Sequence, residues 1–311
     1  MISRFAVIFL CASLLSSCET QQQPINMVGN SWLGYQPFYA QHQLHPERHP
    51  NNIHITMLVS DISVIRMLTN EAASVAMLSL DNAISLNSRT NLDFCIASVL
   101  SSSNGADAIL MHPEFATKLD SDEPIRVGME DSALARYVLS RWVESAGIAE
   151  QRIEREVILP NYHASSFAND QFDVVVAYAP FTTRLKNAGA IPIFSSADIP
   201  DEVIDIVAVR RALWAREHER LKQLLTVSWD QAFAAAQQPD SDIFKAMMIF
   251  SELTSAEMSA TMADLKFYDA SKSAEFLAGG YAQVQQTVSE YLIKAGVHQQ
   301  VKPLPVCEGV L

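Results

Sequence analysis

Apolar runs and amphipathic stretches alternate along the first third of this chain. The stretches "INMVGNSW" (25–32), "NIHITMLVS" (52–60) and "SVAMLS" (74–79) read as short strands. Between them, "QPFYAQHQL" (36–44) and "DISVIRMLTNEA" (61–72) read as helices. In the second helix Ile62, Ile65 and Leu68 repeat at helical spacing, and Ser60 or Asp61 stands where a cap belongs. This β-α-β-α-β rhythm predicts a parallel sheet covered by helices. A second series follows: "ADAILMHP", "IRVGME", the helix "SALARYVLSRWVESAG" stopped by Gly147, "EREVIL", "FDVVVAYAP" and "AIPIFSS". It predicts a second α/β lobe over 112–204. Beyond it, "EVIDIVAVRRAL" reads as one more strand leading into a helical remainder that must bury its apolar faces. Packing that remainder back on the first lobe makes the lobe discontinuous, 25–111 and 205–311, with two chain crossings to the second. The fold class expected is α/β, two lobes with a helical C-terminal part on the first.

The N-terminus follows another logic. A single charge, Arg4, precedes the apolar run "FAVIFLCASLL" and then "SSCE", the layout of a secretory signal too short to span a bilayer as a mature helix. Residues 1–17 are expected to be that signal and 18–24 a tether. No later stretch is apolar for long enough to cross a membrane. Removing Arg4 leaves 21 of the 22 basic side chains against 35 acidic ones, a formal balance of −14. That argues against nucleic acid as a partner, because a phosphate backbone needs a basic footprint.

With Cys11 in the signal and Cys18 at its end, Cys95 and Cys307 remain. They either pair or stay separate thiols, and separate thiols, with Cys95 buried in "LDFCIASVL", are the preferred expectation. No Cys/His array suggests zinc. His42, His45 and His49 cluster in "QHQLHPERHP", but Pro46 and Pro50 break the geometry, and a solvated helix end is expected there. The sequence carries no GxSxG, HExxH, P-loop or GxGxxG pattern, so neither an enzyme nor a cofactor is expected.

Six stretches, in order over residues 28–211, carry a family resemblance: "WLGYQPFYAQ", "VAMLSLDNAISL", "VLSSSNGADAILMHP", "VGMEDSALARYVLSRWVESAGI", "FANDQFDVVVAYAPFTTRL" and "AIPIFSSADIPDEVIDIVAVRR". The chain resembles the periplasmic substrate-binding proteins of the nitrate, sulfonate, taurine and thiamine-precursor ABC importers, which have the type II periplasmic-binding fold. The "LSSC" ending resembles the bacterial lipobox, whose Cys, here Cys18, is lipidated. The resemblance implies a monomeric, lipid-anchored receptor on the periplasmic face of a membrane. It would capture a small organic molecule, a sulfonate, carboxylate or flat heterocycle, for ABC permease subunits. The alternative is a lipoprotein that senses its ligand for a membrane sensor kinase.

In an open α/β sheet the ligand crevice lies beyond the carboxyl ends of the strands. Gly34 permits a tight turn there and Pro37 suits the first helical turn, which leaves Trp32, Tyr35 and Phe38 to stack on a ligand, although Phe38 and Tyr39 serve equally well as core. Ser79 and Asp81, then Ser103, Asn104 and Asp107, are expected at the same mouth. Glu130, Asp131 and Ser132 stand at a helix N-terminus suited to an anion, with Asp81 and Asp131 the expected caps. Tyr178 and Phe181 complete the set. Two departures stand out. Ala179 precedes Pro180 where the family commonly has an acid, removing a carboxylate for a cation. "NEAA" (70–73) replaces Gly-x-x-Asp, with Asn70 expected in the left-handed turn.

Overall fold

The computed structural model describes residues 23–310. The signal stretch and Cys18 lie outside the described residues. The first lobe opens with β1 (Ile25–Gly29), α1 (Gln36–Leu44), β2 (Ile53–Met57), α2 (Asp61–Thr69), β3 (Val75–Ser79), α3 (Leu80–Arg89) and β4 (Phe94–Ser103). The second holds β5 (Asp107–Met111), β6 (Ile125–Met129), α4 (Ala133–Ser145), β7 (Ile153–Val157), α5 (His163–Ala168), β8 (Val174–Tyr178), α6 (Phe181–Asn187) and β9 (Ile191–Ser195). The chain then returns through β10 (Ile204–Arg210), α7 (Arg211–Gln223), α8 (Trp229–Ala236), α9 (Asp242–Ser251), α10 (Ser255–Ala263), β11 (Leu265–Phe267), α11 (Ala270–Gly279) and α12 (Tyr281–Lys294).

Two sheets result, ordered β11-β4-β10-β3-β1-β2 and β7-β6-β8-β5-β9. β1 pairs in parallel with both β2 and β3, as the alternating pattern requires, while β10 enters antiparallel between β3 and β4. Strand β5 pairs with β8 and β9, so residues 107–111 belong to the second sheet rather than to the first lobe. An apolar strand does not itself reveal which sheet it joins. Helices α8 and α9 pack on α1 and α11 packs on β4, whereas α12 touches both α3 and α4.

The two crossings, 104–106 and 196–203, are bonded to each other. Ser103 Oγ lies 2.7 Å from Ser196 Oγ, the Gly105 amide donates to the same Ser196 hydroxyl at 2.7 Å, and the Ser103 amide donates to the Val203 carbonyl at 3.0 Å. The two crossings are thus strapped together where the lobes join, the place for a hinge.

Three local expectations change. Cys95 and Cys307 form a disulfide: the last segment runs beside β4, where the Ile96 amide donates to the Pro305 carbonyl and the Cys307 amide to the Ile96 carbonyl, at 2.8 and 2.9 Å. That ladder aligns two thiols 212 residues apart. At the end of α2 the left-handed residue is Glu71 (φ 59°), one place after Asn70, because Asn70 still closes the helix. The histidine stretch is a solvated helix end in part: Gln43, Leu44 and Pro46 to Arg48 are exposed and His45 reaches an exposed acid, Asp242, at 2.6 Å, but His49 is buried against Phe38.

Candidate functional site

The loop after β1 turns into the cleft between the lobes. Asn30 fixes it, accepting the Trp32 amide on Oδ1 at 2.9 Å and donating through Nδ2 to Asp61 at 2.8 Å. Trp32 Nε1 donates to Asp205 Oδ2 at 2.8 Å, Ser101 Oγ to the same oxygen at 2.6 Å, and Tyr35 OH to Oδ1 at 3.1 Å. Gly34 lies where a Cβ would overlap Ser101 Oγ and the Trp32 indole, so close approach is what the position requires. Opposite stands Tyr178, its ring 6.1 Å from Trp32 and edge-on at 73°.

Two small cavities meet here and share Asp107, Leu134 and Tyr178. One is bounded mainly by the first lobe, through Asn30, Trp32, Tyr35, Asp61, Ser79 and Asp205. The other is bounded by the second, through Glu130, Ser132 and His163. Each is about 10 Å³, room for about one water molecule, so the lobes are drawn shut. A larger groove of about 610 Å³ lies between α4 and α12, away from this chemistry. Its charged groups are occupied in pairs, Arg136–Asp131, Arg155–Glu150 and Lys294–Glu144.

Electrostatics set the cleft apart. Burial pushes the Asp61 carboxyl up to about 6 against the pull of the Asn82 and Asn30 amides. Burial and then the Asp61 charge push Asp81 and Glu130 each to about 8. Asp107 rises to about 7, mainly by burial, with a Ser103 hydrogen bond opposing. Burial, followed by Asp107, also raises Asp205 well above the carboxylate range, although three donors favour its charged form. The charges acting on these acids are one another's; no Lys or Arg is among them.

Of the expected site residues, the structure brings Trp32, Tyr35, Ser79, Asp107, Glu130, Ser132 and Tyr178 to the cavities. Phe38 is core, 4.9 Å from Trp229. Asp81 is buried in the first turn of α3, whose N-cap is Ser79, and lines neither cavity. Asp131 faces outward to Arg136 and leaves the cap of α4 to Ser132, which accepts the Ala135 amide at 3.2 Å. Ser103 and Asn104 serve the hinge, since Asn104 is exposed and its amide donates to the Asp264 carbonyl. Phe181 stands one layer back, 5.4 Å behind Tyr178. The sequence reading missed Asn30, Asp61, Asn82, His163 and Asp205. Asp205 carried a signal, a lone acid inside the apolar run "EVIDIVAV", because a charge buried in a strand needs a partner. Asp61 did not, since an acid beside Ser60 at a helix start looks like a cap.

Compared with solved structures, the chain superposes at TM-score 0.75 on the ligand-binding component of an ABC-type import system from Staphylococcus aureus with zinc bound, at 10% identity over 93% of this chain and 98% of that one. The fold is that of the two-lobed periplasmic binding proteins. The alkanesulfonate-binding protein of Xanthomonas axonopodis pv. citri bound to MOPS matches at TM-score 0.72 and 14% identity, covering 93% and 97% of the two chains. The periplasmic nitrate-binding protein of Synechocystis PCC 6803 matches at 0.64 and 9%, covering 91% and 92%. No protein-family model matches the sequence, and no curated protein matches it.

Proposed function

We propose that this protein is an extracytoplasmic solute receptor, lipid-anchored through Cys18, whose lobes close on a small molecule and present it to an ABC importer. The observation that carries this reading is a cleft walled by both lobes, with its aromatic and polar groups fixed by buried bonds and a strapped double hinge behind it. A ligand shifts the lobes toward closure only through contacts it makes with both at once, and Trp32, Tyr35 and Ser79 on one side face Asp107, Glu130, Ser132 and Tyr178 on the other. The similar solved structures, the ligand-binding component of an ABC-type import system, an alkanesulfonate-binding protein and a periplasmic nitrate-binding protein, support the same reading.

A thermal-shift screen over small amines, carboxylates, sulfonates and neutral heterocycles tests it, with small-angle scattering on the best compound. A receptor gains melting temperature from its ligand by mass action and contracts as the lobes meet. If no compound shifts the transition and the scattering never changes, the protein is not a receptor. Uptake of the compound by cells should then depend on the gene; a lost kinase response with uptake intact would instead identify a sensor.

A further inference from the structure

The backbone amides at the two helix N-termini, which would hold an anion, are already engaged. At the start of α2 the Ile62 amide donates to Glu130 Oε1 at 2.9 Å and the Ser63 amide to Ser60 Oγ at 3.2 Å. At the start of α4 the Ala133 amide donates across the cleft to Asn82 Oδ1 at 2.9 Å, and Ser132 caps the next turn. The anion expected at this helix N-terminus therefore meets a carboxylate from its own lobe and an amide oxygen from the other. No lysine or arginine lines either cavity.

Two carboxyl oxygens are left over, beside the Tyr178 hydroxyl and the His163 ring, which also lack hydrogen-bond partners among the described residues. Asp107 and Glu130 are 3% and 2% exposed, and their Oδ2 and Oε2 atoms have no hydrogen-bond partner among the described residues. Asp61 contributes a third acid to the same space, and Trp32, Tyr35 and Tyr178 supply ring edges and faces. Buried carboxylates without counter-charge, beside aromatic rings, complement a cation that brings its own N–H donors. The acids are not gathered into a set of three that could hold a metal ion, among the described residues.

We infer that the ligand is a small organic cation with N–H donors, an amine, amidine or guanidine, bound between Asp107 and Glu130 against the Trp32 and Tyr178 rings. This rests on the receptor reading. It also replaces the carboxylate absent before Pro180 with others that no single motif displays.

The test uses the purified protein with charge-matched probes: benzylamine, benzamidine and putrescine; benzoate, benzenesulfonate and succinate; benzamide; and calcium and zinc chlorides. At least one of the cations raises the melting temperature, and neither the anions nor benzamide do. Calorimetry then shows that Asp107→Asn and Glu130→Gln each weaken that cation by about tenfold or more, while the ligand-free variants melt no lower than the parent, because a buried uncompensated acid has been removed. Stabilisation by an anion, by benzamide or by a metal alone, or unchanged cation affinity in both variants, overturns the cation assignment and leaves the receptor reading standing. A melting temperature that no probe moves, with scattering unchanged, overturns both.

Discussion

Asp205 shows at the scale of one residue how the cleft wall is made. Indole, phenol and hydroxyl donors converge on its two oxygens, so the aromatic loop is fixed by a strand separated from β1 by β3 alone. Tyr35→Phe removes one of these bonds with little change of volume and should cost about 1 kcal/mol in denaturant unfolding. Trp32→Ala is expected to do more than weaken ligand, since it also strips a buried acid of a donor. The raised carboxyls make a pH prediction. Asp61 (about 6), Asp107 (about 7), Asp81 and Glu130 (about 8) titrate above their unfolded values, so these groups hold more protons in the folded state, whereas buried His49 and His163, lowered to about 4, act the opposite way below about pH 6.5. Stability without ligand should therefore fall as pH rises from about 6.5 to 8, where the acids alone titrate. Thermal melts across about pH 6.5 to 8 with a flat or rising trend would show that these groups are not buried as described.

Among the elements, the C-terminal segment is held by sheet bonds to β4 and by Cys95–Cys307. Cys307→Ser should lower unfolding free energy by about 2 to 5 kcal/mol, with the ligand site intact, because the crosslink closes a long loop in the unfolded chain. A reducing agent should lower the parent to the same level, whereas a parent indifferent to reductant has no such bond. The turn after β1 is a second test. Gly34→Ala pushes a methyl group into Ser101 and the Trp32 indole, so it should weaken cation binding more than it lowers the melting temperature. The helix starts and parallel strands of this lobe were legible because each is a local pattern, although α2 ends at Thr69 and not at the expected Ala72. Thus "QPFYAQHQL" is α1 from end to end, and Ser60 caps α2 by accepting the Ser63 amide. The assignment of β5 to the second sheet was not legible, because strand pairing is a choice among equally apolar partners.

Across the whole molecule, closure is fastened away from the cleft. The Arg184 guanidinium donates to the Ser251 carbonyl at 2.7 Å, Asn187 Nδ2 to Glu257 at 2.7 Å, and Thr183 and Thr261 hydroxyls lie 2.8 Å apart, all from α6 to α9 and α10. These bonds form only when the lobes meet. Arg184→Ala should therefore shift the ligand-free protein toward the open form and reduce apparent affinity by the fraction of competent molecules lost, about two- to tenfold. Scattering would record a larger radius of gyration for the variant, and equal radii would show that the fastener does not act on closure. The same logic accounts for cavities with room for little more than one water: a ligand enters only when the lobes part.

The sequence by itself determined the two α/β series, the helical tail, the aromatic turn after the first strand and seven of the residues that meet in the cleft. Local spacing and capping chemistry specify such things within a few residues. Only the tertiary structure decided which acids share one buried cleft, that Cys95 meets Cys307, and that the helix N-termini are already occupied by Glu130 and Asn82. Those facts depend on distances between residues tens to hundreds of positions apart. The sign of the charge a ligand meets depends on which groups lose water together.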